Sequence, residues 1–317
     1  MVFLTETDTA CAVQHSPQDR ILSASPAHLM DTFPDIALLV ATCDRKELLN
    51  LLLESLSRQT CANFTVYIGD QNTASYLDDV IALHEKSMRI ERCLVPRQGL
   101  SAVRNILLER ALGNNHDWMA FPDDDCRYEA DTLEKLAELS ARRPDVDGVL
   151  CALQFDEGPL VGSTTALINR FNAFHASETF VQFYRTSAVR AIGRFDPALG
   201  PGTGLPYGCG EDTDYVLRAL EKGLRLVRAP DILVRHPAPK LRGDGLEAKW
   251  LSYGQGRMYL LRKHGFPLWF KLANVAFPLV KALCEGPQKW SYRKHMFLGR
   301  WRGFWDKGPA RTDKSSC

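Results

Sequence analysis

One stretch of ten residues decides the fold, IALLVATCDR at positions 36–45. Its first six residues are all apolar, which is typical of a short parallel strand that is buried on both faces. The polar tail from Thr42 to Arg45 ends this strand. Leucines then recur at helical spacing from Leu48 to Leu56, so a helix is expected to follow. The stretch therefore predicts a strand–helix unit of an α/β protein.

The alternation of strand and helix continues along the chain. We predict strands at 64–70, 93–95 and 118–121, and helices at 76–84, 100–111 and 131–136. This order predicts an α/β fold with an open, mostly parallel sheet and helices on both faces. The sequence has neither the G-x-G-x-x-G fingerprint of dinucleotide-binding proteins after the first strand nor a P-loop.

In open α/β sheets, ligands bind beyond the carboxyl ends of the strands. Polar residues follow three of the predicted strands, and we expect them to converge at one edge of the sheet. They are Thr42, Asp44, Arg45, Asp70, Asp123 and Asp125.

The composition is that of an ordinary globular chain, with 317 residues, 45% of them hydrophobic and 24% charged. It excludes a disordered, collagen-like or coiled-coil protein. The net charge of +1 gives no support for whole-chain attraction to nucleic acid. Nine scattered cysteines without C-x-x-C spacing, and the lack of a visible secretory signal, predict reduced thiols and a cytoplasmic protein. Residues 1–34 lack periodicity and are predicted to be a flexible extension.

A first acidic cluster, Asp123-Asp124-Asp125, lies between an apolar strand and a helix. It could be a polar turn whose charges face solvent. At a strand end that opens into a cleft, however, three adjacent carboxylates repel one another. Mg2+ or Mn2+ relieves that repulsion by taking oxygen ligands from carboxylates and from substrate phosphates.

A second cluster, GCGEDTD at 208–214, opens a helix that we predict at 215–222. Any one of these acids could simply cap the helix. Glu211 and Asp212 together exceed what a cap needs, and an ionised carboxylate there suits a general base. His236, after an apolar stretch, is either an ordinary loop histidine or a partner for Mn2+ beside a carboxylate.

Together these motifs resemble glycosyltransferase family 2, whose members have the GT-A fold. The resemblance runs from Ile36 to about His236, and the order and spacing of the motifs make it specific. The matching motifs are VATCDR at 40–45, IGDQ at 68–71, Gly99 with Arg104-Asn105, FPDDD at 121–125, FDPALGPGT at 195–203 and GEDTD at 210–214.

The resemblance implies roles for individual residues. Asp70 would hydrogen-bond the base, most often uracil in this family. Asp125, with Asp123 and His236, would bind Mn2+ or Mg2+, and Asp212 would be the catalytic base with Glu211 in support. The residues implied to line the nucleotide or its diphosphate are Thr42, Asp44, Arg45, Arg97, Arg104, Asp123 and Asp124.

The implied activity is inverting transfer of one sugar from a nucleotide-sugar donor, most often UDP-linked, to a saccharide or lipid-linked saccharide acceptor. The expected setting is surface or exopolysaccharide biosynthesis. Processive synthases of this family carry several transmembrane helices and a Q-x-x-R-W motif, and neither is found here. A sugar nucleotidyltransferase would need a Gly-rich basic loop after the first strand, which TCDR at 42–45 does not supply. An inactive sugar-nucleotide-binding or scaffold protein would have no reason to keep repelling carboxylates.

Domain boundaries are predicted at 35–239 for the GT-A domain and 240–317 for a helical, basic extension. Within 265–285 the polar or helix-breaking positions fall on one helical stripe, and all other positions are apolar. Residues 286–317 carry eight Lys or Arg against two Asp. This extension either packs on the domain and ends in a solvated tail, or lies on an anionic membrane, placing the protein peripherally on the cytoplasmic face of the inner membrane. No nucleic-acid module accompanies it.

Overall fold

A computed structural model describes residues 33–156, 158–175, 177–239 and 245–306. The extension predicted for residues 1–34 therefore lies almost wholly outside the described residues, as does the end of the basic tail. The described part contains nine α-helices: Lys46–Ser57 (α1), Asp78–His84 (α2), Leu100–Leu112 (α3), Thr132–Arg142 (α4), Thr186–Ile192 (α5), Glu211–Glu221 (α6), Leu246–Lys263 (α7), Leu268–Glu285 (α8) and Trp290–Trp305 (α9).

Ten strands form one mixed sheet. They are Ile36–Thr42 (β1), Phe64–Asp70 (β2), Arg89–Leu94 (β3), Trp118–Ala120 (β4), Arg127–Tyr128 (β5), Gly148–Phe155 (β6), Leu160–Val161 (β7), Ala166–Leu167 (β8), Gln182–Arg185 (β9) and Leu226–His236 (β10). The strand order is β3-β2-β1-β4-β9-β6-β10-β5, with β7 beside β6 and β8 beside β10. The first four strands in this order are parallel, as predicted, whereas β9 runs antiparallel to both β4 and β6.

The first strand lies in the middle of the core. Residues 36–40 are fully buried, and β1 pairs in parallel with β2 on one side and β4 on the other. In this register Thr42 lies opposite Asp70, and Ala41 forms a bridge with Asp123. The carboxyl ends of these strands are therefore level, which brings their polar residues to one edge of the sheet.

Several predicted boundaries differ from the structure; for example, the helix predicted at 131–136 runs from Thr132 to Arg142. Helix α2 begins at Asp78 rather than residue 76, and β3 begins at Arg89 rather than residue 93. Helix α6 begins at Glu211, four residues before its predicted start, because Gly210 adopts a left-handed conformation with φ of 106°. The acids of the second cluster therefore lie within the first turn, where the helix dipole favours negative charge.

Helices α7 and α9 pack with their backbones in close approach. A Cβ atom on Gly299 would lie 2.1 Å from the Leu251 carbonyl oxygen, and one on Gly254 would lie 2.6 Å from that of Met296. Only glycine fits at these two positions. Among the helices of the described residues, none combines the length and apolar content needed to cross a bilayer.

Candidate active site

The first acidic cluster is held by groups at the end of β1 and just after it. The Thr42 hydroxyl donates to Asp124 Oδ2 at 2.8 Å. The Arg45 guanidinium contacts Asp124 Oδ1 at 2.6 Å and Asp125 Oδ2 at 3.0 Å. Burial raises the pKa of Asp124 to about 6, against the opposing effects of Arg45 and Thr42. Asp124 is therefore enclosed by protein groups and acts as an anchor for this loop.

Asp123, Asp125 and His236 form a group that could hold a divalent cation. Each offers one ligand atom, and these atoms lie within 4.8 Å of one another. His236 Nδ1 donates to the Pro237 carbonyl at 2.7 Å, which turns Nε2 toward Asp125 Oδ1 at 2.9 Å. Two carboxylate oxygens and one imidazole nitrogen suit Mn2+, so the donor chemistry fits the predicted metal.

The imidazole of His236 packs against an aromatic ring. It stacks on the Phe180 ring with centroids 4.5 Å apart. Burial lowers the pKa of His236, but the bond to Asp125 outweighs it and the net shift is upward. Burial likewise raises the pKa of Asp125, but His236 and Arg45 outweigh it and the net shift is downward. A cleft of about 150 Å3 opens beside this group, lined by Asp125, Arg127, Asp156, Arg235, His236 and Pro237.

Arg104 joins the two acidic clusters. Its side chain is 1% exposed and contacts Asp123 Oδ1 at 2.7 Å through one nitrogen and Glu211 Oε1 at 3.5 Å through the other. The guanidinium also lies 5.6 Å from the centre of the Phe195 ring. Arg104 therefore connects Asp123 to Glu211, the residue before the predicted base, although about 90 residues separate Asp123 from Glu211 in the sequence.

Asp212 has one oxygen engaged by its own helix. Asp212 Oδ1 accepts hydrogen bonds from the Thr213 backbone N–H at 2.5 Å and from the Thr213 hydroxyl at 3.2 Å. Within the described part of the chain, no hydrogen bond reaches Oδ2. Such an oxygen is able to accept a proton from an acceptor hydroxyl.

The sequence predicts a carboxylate in this cluster that stays ionised at pH 7, whereas burial favours the neutral forms of both Glu211 and Asp212. Burial, followed by the charge of Asp212, raises the pKa of Glu211 to about 8. Burial also raises the pKa of Asp212, while hydrogen bonds from Thr213 oppose this. A Cβ atom on Gly200 would lie 3.1 Å from the Glu211 carboxyl, so the loop before the helix closes over this acid.

The third acid of the helix, Asp214, has a structural role. It is fully buried and is surrounded by Arg218 at 2.8 Å, Lys263 at 2.7 Å and His264 at 2.8 Å. Although burial favours the neutral acid, these partners hold the pKa of Asp214 well below its usual range. Asp214 thereby joins α6 to the end of α7.

Asp70 lies apart from the two clusters. Its carboxylate is fully buried, and Oδ2 accepts from Arg92 Nη2 at 2.6 Å. Asp70 Oδ1 accepts from the backbone and side-chain nitrogens of Asn72, at 2.9 and 2.7 Å. Asn72 in turn accepts the Asp44 N–H at 2.6 Å. Direct contact between Asp70 and a base would require one of these bonds to break.

Asp44 and Arg97 pair with each other at the exposed end of the strands. About two thirds of each side chain is exposed, at 66% and 65% respectively. Asp44 also has a left-handed backbone with φ of 57°. The pair is accessible to a nucleotide, and its predicted role stays a prediction.

Sequence reasoning missed several charged residues near the site. Burial raises the pKa of Glu178 to about 7, and the charges of Asp212 and His236 act on it in opposite directions. Helix α7 carries two of them. Lys249 interacts electrostatically with Asp125, and Arg257 interacts electrostatically with Asp212. Lys249 and Arg257 are eight residues apart on one helix. That spacing could have indicated a basic face of α7 turned toward the acids.

Comparison with known proteins shows which family and which solved structures this chain resembles. The family model described as Glycosyl transferase family 2 matches residues 37–193. EpsH of Bacillus subtilis (strain 168), which carries the name glycosyltransferase, is 31% identical over 127 residues. That match covers 39% of this chain and 36% of EpsH, so the chain spans about a third of that relative.

Solved structures with a similar fold include a mannosyltransferase and TarS. The mannosyltransferase PcManGT from Pyrobaculum calidifontis, in complex with GDP-Man and Mn2+, matches with a TM-score of 0.60 at 15% identity, covering 91% of this chain and 93% of that chain. S. aureus TarS matches with a TM-score of 0.56 at 16% identity, covering 83% of this chain and 55% of TarS. TarS 1-349 in complex with UDP-GlcNAc matches with a TM-score of 0.55 at 17% identity, covering 84% of this chain and 81% of that chain. At these identities the likeness shows the GT-A fold alone.

Residues 37–193, about half of the chain, form a glycosyltransferase family 2 domain. The family model ends at residue 193, before α6 and β10. The candidate roles of Asp212 and His236 therefore rest on the geometry described above rather than on the family match.

Proposed function

We propose that the chain is an inverting, non-processive glycosyltransferase that moves a single sugar from a nucleotide-sugar donor, UDP-linked, to a hydroxyl of a saccharide or lipid-linked saccharide. The setting is surface or exopolysaccharide biosynthesis on the cytoplasmic side of a membrane. The observation that carries the proposal is the ion-pair bridge through Arg104. Through it Asp123, one of the three candidate metal ligands, shares a counter-charge with Glu211, and Asp212 follows Glu211 in the chain.

The chemistry follows from where the charges lie. As the bond between the sugar and the nucleoside diphosphate breaks, negative charge builds on the leaving group. Mn2+ or Mg2+ held by Asp123, Asp125 and His236 would supply Lewis-acid assistance to that departure. Arg45 and Arg127 bring further positive charge to the same edge of the sheet.

On the acceptor side, Asp212 is the proposed base. Its Oδ2 would take the proton of the attacking hydroxyl, while Oδ1 stays bound to Thr213. Glu211, whose pKa is raised to about 8, holds a proton at neutral pH and leaves the negative charge on Asp212. A single displacement by one activated hydroxyl inverts the configuration of the sugar carbon.

The test measures nucleoside diphosphate released from a panel of UDP- and GDP-sugars, with Mn2+, with Mg2+ or with EDTA. We expect release with one donor and a metal, and loss of at least ~100-fold in Asp212→Asn with nucleotide binding retained, which is the scale of a lost general base. Asp145→Asn, a change at an exposed acid, is the matched control. Near-normal turnover of Asp212→Asn would refute the assignment.

The same panel, extended by nucleoside triphosphates with sugar phosphates, separates the alternatives. A sugar nucleotidyltransferase would release pyrophosphate from a nucleoside triphosphate and a sugar phosphate. An inactive binding or scaffold protein would bind a sugar nucleotide and release nothing. Full release of nucleoside diphosphate in EDTA would contradict the role of Asp125 as a metal ligand.

A further inference from the structure

Helix α8 is turned so that its polar stripe faces the protein. The positions that are buried or half-buried follow one side of the helix, and they include Lys271, Asn274, Pro278, Lys281 and Glu285. Polar groups on this side are engaged by α9. Arg300 donates to the Asn274 carbonyl at 2.6 Å, and Arg293 pairs with Glu285 at 2.6 Å. This is the reverse of an ordinary surface helix, which turns its apolar stripe inward.

Every exposed residue of α8 is apolar. Leu283 is 83% exposed and Trp269 is 62% exposed. We call this set the α8 face; it consists of Leu268, Trp269, Leu272, Ala273, Ala276, Phe277, Leu279, Val280, Leu283 and Cys284. A contiguous apolar surface of this kind marks an interaction site rather than a random distribution of single side chains.

Aromatic residues extend the α8 face at both ends. The exposed Phe171 ring stacks on Trp269 with centroids 6.1 Å apart. At the other end, Trp290 is 57% exposed and its indole N–H donates to the Ala282 carbonyl at 3.2 Å. Tryptophan is enriched where one part of a surface lies in lipid and another in water.

The segment that carries the α8 face is basic. Residues 265–306 contain seven Lys or Arg against one Glu and one Asp, a net charge of +5. Glu285 is paired with Arg293, and Asp306 accepts from Tyr207 at 2.7 Å. Lys294 and Arg302 on α9 are exposed.

We propose that the α8 face docks on a lipid bilayer that contains anionic headgroups, with the helix lying in the plane of the interface. The apolar side chains enter the boundary of the acyl chains, and the basic residues contact the headgroups. A second copy of the chain is a poorer occupant, because pairing two such faces would bring two basic segments together.

Flotation with vesicles tests the proposal without any activity readout, so its result is independent of the proposed transferase function. The full chain is mixed with phosphatidylcholine vesicles that contain 30–40% phosphatidylglycerol, on the order of a third anionic lipid, or with phosphatidylcholine alone. We expect flotation with the anionic vesicles, weaker flotation with neutral ones, and a decrease as salt rises.

Two double variants separate the apolar and electrostatic contributions. Leu272→Glu with Leu283→Glu should lower partitioning by at least ~100-fold, since two exposed leucines that would enter the acyl-chain boundary are lost. Replacing Lys294 and Arg302 by glutamine should lower it by about 30-fold on anionic vesicles only. Leu83→Glu on α2 changes a leucine that is 59% exposed and is the matched control, which should float as the unaltered chain does.

Three results would overturn the proposal. The first is absence of flotation of the unaltered chain with anionic vesicles. The second is unchanged flotation of the double leucine variant. The third is a dimer, seen by light scattering, that the double leucine variant dissociates while neither protein floats, which would make the face an interface between copies.

Discussion

Replacing Glu211 by glutamine should change how the stability of the protein depends on pH. Glu211 is 6% exposed and lies in the first turn of α6. Burial and the neighbouring charge of Asp212 raise its pKa from 4.5 to about 8. Glutamine has nearly the same shape as glutamic acid but cannot titrate. Glu211→Gln therefore removes the titration of this site and changes little else.

The sign follows from the direction of that shift. Between about pH 5 and pH 8 the folded state holds a proton on Glu211 that the unfolded state has released. The free energy of unfolding therefore falls as pH rises through this window, by up to about 1.4 kcal/mol per pH unit for one proton. With a folded pKa of about 8, the loss between pH 6 and pH 7.5 is about 2 kcal/mol.

The assay is urea unfolding followed by circular dichroism at several pH values from 6 to 7.5, in about 1 mM EDTA so that no bound cation alters the local charge. We expect the unfolding free energy of Glu211→Gln to gain about 2 kcal/mol relative to the unaltered chain across this range. Glu138→Gln, at an acid whose side chain is 54% exposed, should show a constant difference. A difference for Glu211→Gln that does not vary with pH would refute the raised pKa, and with it the assignment of the charge to Asp212.

Three further predictions concern the metal ligands, the buried ion pairs and the helix packing. Asp125→Asn should weaken Mn2+ binding by at least ~10-fold in calorimetry, since the loss of even a supporting residue of a metal site lowers metal affinity by this factor. An unchanged affinity would exclude Asp125 as a ligand. Asp214→Asn should lower the unfolding free energy at pH 7 by about 3 kcal/mol, because it removes the buried carboxylate that Arg218, Lys263 and His264 share. Since the pKa of Asp214 is lowered, this loss should shrink as pH falls below 4, and a loss that stays constant in acid would contradict the prediction. Gly299→Ala should destabilise the chain by about 2–3 kcal/mol in the same urea assay, because the alanine Cβ would lie 2.1 Å from the Leu251 carbonyl oxygen. A variant as stable as the unaltered chain would contradict this close approach.

The first half of the fold could be predicted because its strands are buried on both faces. The run from Ile36 to Ala41 has no polar position, and only a strand in the middle of a parallel sheet requires this. The start of β3 was missed because it is an edge strand whose residues alternate between exposed and half-buried, with Arg89, Glu91 and Arg92 among them. The local pattern of apolar residues does not predict a strand of this kind.

Within the site, the acids themselves could be predicted, but their partners could not. The clusters around Asp123 and Glu211 are visible because acidic residues adjoin apolar or glycine-rich stretches. Arg104 was expected to line the diphosphate, and nothing local shows that it bridges both clusters. Glu178 precedes β9, whose antiparallel insertion between β4 and β6 the sequence pattern did not reveal. The position of Glu178 near Asp212 therefore depends on the pairing of strands that are distant in the sequence.

The acids can lie together because two arginines each contact two of them. Arg45 joins Asp124 to Asp125, and Arg104 joins Asp123 to Glu211. Removing either guanidinium would leave two carboxylates without their shared counter-charge at one sheet edge, which is costly for buried groups. A nucleoside diphosphate entering this edge would compete with the same carboxylates for these arginines. A divalent cation would restore the charge balance, which is a physical reason for metal and donor to bind together at this site.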